Sequence, residues 1–193
     1  MVSRVRGLVG PIIGSALFFC LAPGLVAGIV PGTLASWHIK PAFLGLSVVG
    51  VVGVVLIVGG GLGLLDCFAR FALQGRGTPA PIAPTATLVV SGQYRYVRNP
   101  MYVAVVAAIL GQALLFGSIR VLGYAVLVWC AFHLFVLAYE EPTLHGQFGE
   151  AYAAYQVGVR RWWPRVTPWS PADRPEHKSR GAAEQGDEAD EGR

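Results

Sequence analysis

Charge is what this chain has least of. Only 13% of its 193 residues are Asp, Glu, Lys or Arg, roughly half the share of an ordinary soluble domain. Acids are the scarcest: up to Trp169 there are four, Asp66, Glu140, Glu141 and Glu150. Such a chain cannot clothe a soluble surface, and a water-soluble globular domain is excluded. Cysteine is also sparse. Cys20, Cys67 and Cys130 lie in or at the edges of apolar runs, are odd in number and form no CxxC, which excludes a disulfide framework and a dithiol redox centre. His38, His133, His145 and His177 are scattered without metal-ligand spacing, so no metal site is expected. The glycines Gly59 to Gly63 follow no strand and lead to no lysine in phosphate-loop register; they suit close helix packing instead. No nucleic-acid partner is expected.

What is abundant is hydrocarbon: 54% of the residues are hydrophobic, and mean hydropathy is +0.54. Four apolar segments run roughly over 8–30, 41–65, 101–117 and 121–139, each near the ~20 residues that span a bilayer core. The first is longer than a signal-peptide core, is interrupted by Pro11, Pro23 and Pro31, and is followed by no clear cleavage site, so a retained helix is expected. Basic residues are partitioned: Arg4, Arg6, Arg70, Arg76, Arg95, Arg98, Arg160, Arg161 and Arg165 fall on one side of these segments, and only Lys40 and Arg120 on the other. The positive-inside rule then puts both termini and the 66–100 connection in the cytoplasm. The expected fold class is an all-α integral membrane protein of about four transmembrane helices, with a C-terminal interfacial amphipathic helix and a disordered tail. Three regions follow: a two-helix transmembrane region (1–72), a core of loop, hairpin and interfacial helix (73–169), and the tail (170–193).

Local signals fill in this frame. The Gly/Pro-rich stretch 73–85 cannot be a regular helix, and TLVVSGQYRY after it suggests an irregular or β-like passage ending in a glycine turn. Asp66 and Arg70, four apart, can pair on one helix face. Pro142 is expected to end the fourth helix near Glu141. A further helical pattern from Thr143 to about Val157 suits a helix lying on the interface or covering the helix ends. Trp162, Trp163 and Trp169, with Arg160, Arg161 and Arg165, suggest an interfacial belt.

Two polar clusters fall on the same side of the apolar segments. Arg95, Arg98, Asn99 and Pro100 stand at the start of the third, and Glu140–Glu141 at the end of the fourth; a linker of about three residues makes those two an antiparallel hairpin. Pro100 suits a first helical turn, whose free N–H groups, with Arg95 and Arg98, make an anion-binding end. Glutamates at a helix C-terminus need cationic partners. The arrangement suits a zwitterion with an amine and a carboxylate. It equally suits a structural lock in which Arg95 and Arg98 neutralise Glu140 and Glu141, or a lipid-phosphate anchor.

The ordered pattern G-x-Y-R-Y-V-R-N-P-M-Y, an apolar hairpin, then Y-E-E-P-x-L, F-G-x-x-Y-x-x-Y and V-x-R-W-x-P resembles the isoprenylcysteine carboxyl methyltransferase family, itself related to the phospholipid N-methyltransferases. The likeness covers about residues 73–165. It implies an integral-membrane enzyme that binds S-adenosylmethionine at the cytoplasmic helix ends and receives a lipid-like or small hydrophobic methyl acceptor from the bilayer. By motif position it implies cofactor contacts at Thr87, Leu88, Val89, Tyr94, Asn99, Pro100, Met101, Tyr102, Glu140 and Glu141. Tyr94 and Tyr102 suit either a wall for the adenosine or sulfonium, or an interfacial belt. Many members carry His where this chain has Asn99, which cannot titrate; no other residue stands out as a general base, and no catalytic residue is assigned. Eukaryotic members carry an arginine one turn before the acidic pair, associated with a substrate carboxylate, where this chain has Val136. Phospholipid N-methylation, thiol S-methylation and a non-catalytic lipid-binding scaffold stay open as alternatives. Oligomeric state is not legible.

Overall fold

The computed structural model describes residues 22–37, 47–70 and 88–170. The beginnings of the first two apolar segments, the 73–85 connection, Thr87 and the tail beyond Ser170 lie outside the described residues. Among those described, all regular structure is helical: α1 (Ala22–Leu34), α2 (Ser47–Arg70), α3 (Pro100–Phe116), α4 (Ile119–Phe148) and α5 (Glu150–Gly158), with a 3-10 turn at Gly92–Arg95. Two helices, over Val48–Arg70 and Ile119–Phe148, are long and apolar enough to cross a membrane; α1 and α3 are apolar but shorter.

α2 shows why glycine is plentiful. Val48, Val51, Val55, Val58, Leu62 and Leu65 point outward and are exposed, an apolar face that only a hydrocarbon solvent covers cheaply. The opposite face is narrow. A Cβ on Gly53 would stand 2.7 Å from the Gly111 carbonyl oxygen, and one on Gly60 would stand 2.6 Å from that of Ala104. The α2 and α3 backbones therefore touch, with Ala104, Ala108 and Gly111 as the matching small residues. Among the described residues this is the most extensive helix–helix contact. Of the run at 59–63, Gly60 and Gly63 face α3, whereas Gly59 and Gly61 face open space.

α1 contains a π turn, Leu25–Ile29, which disturbs its hydrogen-bond ladder. Two side chains answer it: Tyr124 Oη donates to the Val26 carbonyl at 3.1 Å and Gln112 Nε2 to that of Ala27. Buried amides and phenols in an apolar bundle are stable only when so paired, and these two bonds tie α1 onto the α3–α4 hairpin. That hairpin turns through two residues, one fewer than expected. Gly117 adopts the left-handed conformation (φ 57°), and the Ser118 hydroxyl caps α4 by accepting from the Val121 N–H at 3.5 Å.

Pro142 does not end α4. The helix passes through it by way of a π turn, Val136–Glu140, in which the Glu141 N–H reaches back to the Val136 carbonyl. Widening the helix there relieves the clash a proline ring makes with a tight α ladder. The Thr143 hydroxyl takes up the Tyr139 carbonyl at 2.6 Å. The helix then breaks at Gly149 (φ 51°, ψ −126°), so the single helix expected over 143–157 is two pieces. The inward face of α5 is not left to the interface: Tyr152 and Tyr155 are buried with Val159 and Trp169, against Leu88, Val90, Leu144 and Phe148.

The expected tryptophan belt also divides. Trp163 is 74% exposed, but Trp169 is 4% exposed and part of that buried cluster. Residues 160–169, which have no regular secondary structure, run beside residues 95–98 as a strap. Arg98 N–H donates to the Arg160 carbonyl (3.0 Å), Arg165 N–H to Tyr96 (2.9 Å) and Trp169 N–H to Arg95 (2.9 Å).

Candidate functional site at the α3 and α4 ends

The approach to α3 is built on one permissive residue. Gly92 has φ 53°, and the Arg70 guanidinium occupies the space a Cβ would need. Arg70 Nε donates to Asp66 Oδ2 at 2.8 Å, the pairing expected four residues apart on α2, and Gln93 Nε2 reaches the same oxygen at 3.1 Å. The 3-10 turn is thereby pinned to the end of α2. This delivers Tyr94 into a buried cluster with Cys67, Val89 and Met101, while the Tyr155 hydroxyl donates to the Tyr94 carbonyl at 2.6 Å. Burial pushes the Tyr94 phenol well above its ordinary range, and that of Tyr155 likewise, so both stay neutral donors.

Asn99 and Pro100 set the first turn of α3. Pro100 occupies its N-terminal position, where a missing N–H costs nothing. Asn99 is buried, yet its side chain does not cap the helix. Its amide donates instead to the Arg161 carbonyl at 3.3 Å, holding the strap. The α3 N-terminus is left without a side-chain cap. One turn on, the Tyr102 hydroxyl donates to Glu140 Oε2 at 2.7 Å, across the mouth of the antiparallel hairpin, and its ring packs on Phe132 with centroids 4.6 Å apart.

The two adjacent glutamates have different fates. Successive helical residues diverge by about 100°, and the π turn ends between these two. Glu141 faces the strap, where Arg161 grips both its oxygens at 2.6 and 2.9 Å and Arg98 Nη1 stands 3.2 Å away. Hydrogen bonding to Glu141 raises the Arg161 guanidinium further above its ordinary range. Glu140 faces the hairpin mouth with Tyr102 as its partner, and among the described residues no cation stands within ion-pair distance of it. The lock imagined from sequence, Arg95 and Arg98 against both acids, is therefore only partly formed. Arg95 Nε donates to the Trp169 carbonyl at 2.7 Å, Arg98 attends Glu141 alone, and the main partner of Glu141 is Arg161. Sequence reasoning missed Arg161, whose one signal was membership of a basic run assigned to the interface.

Tyr102 also lines an apolar cleft of about 280 Å³, between α2, α3, α4 and the strap. Leu56, Val106, Leu110, Trp129, Phe132 and Trp162 form most of its wall. Trp162 is fixed there by its indole N–H, which donates to His133 Nδ1 at 3.1 Å, and the His133 ring stacks on Trp129 at 5.3 Å. The tyrosine that bonds a cation-free carboxylate is thus also a wall of the hydrocarbon-like cleft.

Of the residues nominated from sequence, Tyr102 and Glu140 meet directly. Val89, Tyr94 and Met101 form one cluster beside them, and Pro100 and Asn99 shape the turn between. Leu88 lies in the neighbouring cluster with Tyr152, Tyr155 and Trp169. Glu141 faces away, toward Arg161 and Arg98, and Thr87 lies outside the described residues.

Long apolar helices converging on a polar site at their ends define a membrane-associated helical protein. A family model for phospholipid methyltransferases matches residues 48–151, more than half of the chain, and the chain belongs to that family. The match specifies the phospholipid methyltransferase family and not the isoprenylcysteine branch that the motif resembles. No curated protein and no solved structure matches the chain. The family implies S-adenosylmethionine, and the donor set suits it: a carboxylate without a cationic partner for a positive group, and an uncapped helix N-terminus for a negative one.

Proposed function

We propose that this protein is an integral-membrane, S-adenosylmethionine-dependent methyltransferase acting on a lipid-like or membrane-delivered small acceptor. The observation that carries the reading is the Tyr102–Glu140 pair at the wall of the apolar cleft, which joins a cation-seeking carboxylate to a space suited to an aliphatic chain. When bound, the cofactor supplies an activated methyl group on a sulfonium sulfur. Glu140 attracts its positive charge, and the Tyr102 hydroxyl holds the Glu140 carboxylate in one orientation. The polar start of α3 receives the polar end of the cofactor, and Leu88, Val89, Tyr94 and Met101 enclose it with Thr87, Asn99 and Pro100. Proximity, alignment and exclusion of water are what these residues contribute. An oxygen, sulfur or nitrogen acceptor enters through the cleft, from which Trp162 and Trp129 exclude water. In this reading all four apolar segments cross the membrane, with both termini in the cytoplasm, and α5 with the strap lies at that surface.

One observation bears on the acceptor. Val136, where eukaryotic isoprenylcysteine enzymes carry arginine, is fully buried. A prenylcysteine carboxylate finds no partner there, which favours a phospholipid or another small lipid.

The test is calorimetric binding of S-adenosylmethionine to the protein in nanodiscs, followed by transfer of labelled methyl into lipid extracts. Glu140→Gln keeps an acceptor for the Tyr102 hydroxyl but removes the charge, and is expected to weaken binding roughly tenfold or more. Absence of binding by folded wild-type protein would reject the enzyme reading in favour of a lipid-binding scaffold.

A further inference from the structure

We propose that Arg98, two residues before α3, is an anion subsite outside the apolar cleft and holds the carboxylate at the amino-acid end of the cofactor. This rests on the methyltransferase reading and assigns a residue that the sequence motif did not single out as a cofactor contact. The Arg98 side chain is 10% exposed, yet its Nε and Nη1 are buried without a hydrogen-bond partner. Nη1 is 3.2 Å from Glu141 Oε1, near enough for attraction but off the line of a hydrogen bond. Glu141 is already neutralised by the two-pronged grip of Arg161, so the positive charge of Arg98 is left over.

A buried guanidinium with idle donors is expensive, and the neighbouring arginines do not share the condition. Arg70 is paired with Asp66, Arg95 bonds the Trp169 carbonyl, and Arg165 bonds the Gly158 carbonyl at 2.6 Å. A second feature points the same way. Two residues after Arg98 begins α3, seventeen residues long and without a side-chain cap, whose first N–H groups favour an anion. The planar fork of arginine matches a carboxylate. Charge is arranged to suit a zwitterion: Glu140 on one side lacks a cation, and Arg98, although ion-paired with Glu141, keeps two buried donors without a hydrogen bond. Tyr152, whose phenol burial raises and Arg98 pulls partly back, closes the far side of the guanidinium.

The experiment compares S-adenosylmethionine with decarboxylated S-adenosylmethionine, which keeps the sulfonium, the amine and the adenosine but has no carboxylate. Calorimetry on the full chain in nanodiscs is expected to show the decarboxylated form binding roughly ten- to a hundredfold more weakly. Arg98→Gln should bring the intact cofactor down to that level and leave the decarboxylated form unchanged. The wild-type comparison stands even if the variant fails to fold. Equal wild-type affinity for both molecules overturns the assignment while leaving the methyltransferase reading intact. So does a variant that weakens both alike. Equal affinity together with competition by inorganic phosphate that depends on Arg98 would move the site to a lipid-headgroup phosphate. Binding of neither molecule by wild type would overturn the assignment together with the functional reading beneath it.

Discussion

Gly59 and Gly60 are chain neighbours with opposite surroundings, and substituting each by alanine isolates what the α2–α3 contact contributes. At Gly59 a Cβ meets nothing within 4 Å. Alanine there only removes glycine's helix penalty, worth about 0.5–1 kcal/mol. At Gly60 a Cβ would lie 2.6 Å from the Ala104 carbonyl oxygen, 3.0 Å from Ala108 N and 3.1 Å from Ala108 Cβ. Two of those three atoms are backbone and cannot rotate away, so the helices must part by several tenths of an ångström along their length. Overpacking of this kind costs about 1–3 kcal/mol, partly offset by the same propensity gain. The expected outcome is Gly60→Ala less stable than Gly59→Ala by about 1–3 kcal/mol. Reversible unfolding of both variants in the same detergent or bicelle, followed by tryptophan fluorescence, measures it. Because α3 also carries Tyr102, Gly60→Ala should lower cofactor affinity as well, and Gly59→Ala should not. Equal stability of the two variants would refute backbone contact between α2 and α3.

Substitutions at two further positions probe the site and the strap. Tyr102→Phe removes the hydroxyl bonded to Glu140 while keeping the ring on Phe132; it should weaken cofactor binding with a stability change within about 1.5 kcal/mol, whereas Tyr102→Ala should also cost about 3–5 kcal/mol by opening the cleft. Calorimetry and unfolding measured together separate the two effects: Tyr102→Phe binding the cofactor as tightly as wild type would contradict a role for the hydroxyl, and equal stability of the two variants would contradict packing by the ring. Trp169→Ala should destabilise the protein by about 3–5 kcal/mol, because that indole is 4% exposed and packs tilted against the Tyr155 ring with centroids 5.5 Å apart. Deletion after Trp169, which removes a net-acidic segment without apolar periodicity, should leave methyl transfer intact. A shortened chain that no longer binds the cofactor would place part of the site in that segment.

Composition and patterning were enough to establish an apolar helical bundle, because a chain this poor in charge can bury its backbone polar groups only in helices or a closed barrel, and the periodicities are helical. The α3–α4 hairpin was legible because a short linker between two apolar runs admits one topology. From it followed the meeting of Tyr102 with the acidic pair. Glycine in α2 was legible as close packing, but not which glycines, since contact depends on helix rotation that sequence does not encode. The π turn at Val136–Glu140 was hidden because Pro142 is a local stop signal, and only the packed helix around it decides between a break and a bulge. The separate roles of Glu140 and Glu141 were hidden for the same reason: on paper they are one acidic pair, and that turn aims them at different neighbours. Arg161, twenty residues beyond Glu141, and the buried, half-satisfied Arg98 belong wholly to the tertiary structure. Ion pairing between distant residues depends on where the strap returns, and a sequence records charges but not the water removed from around them.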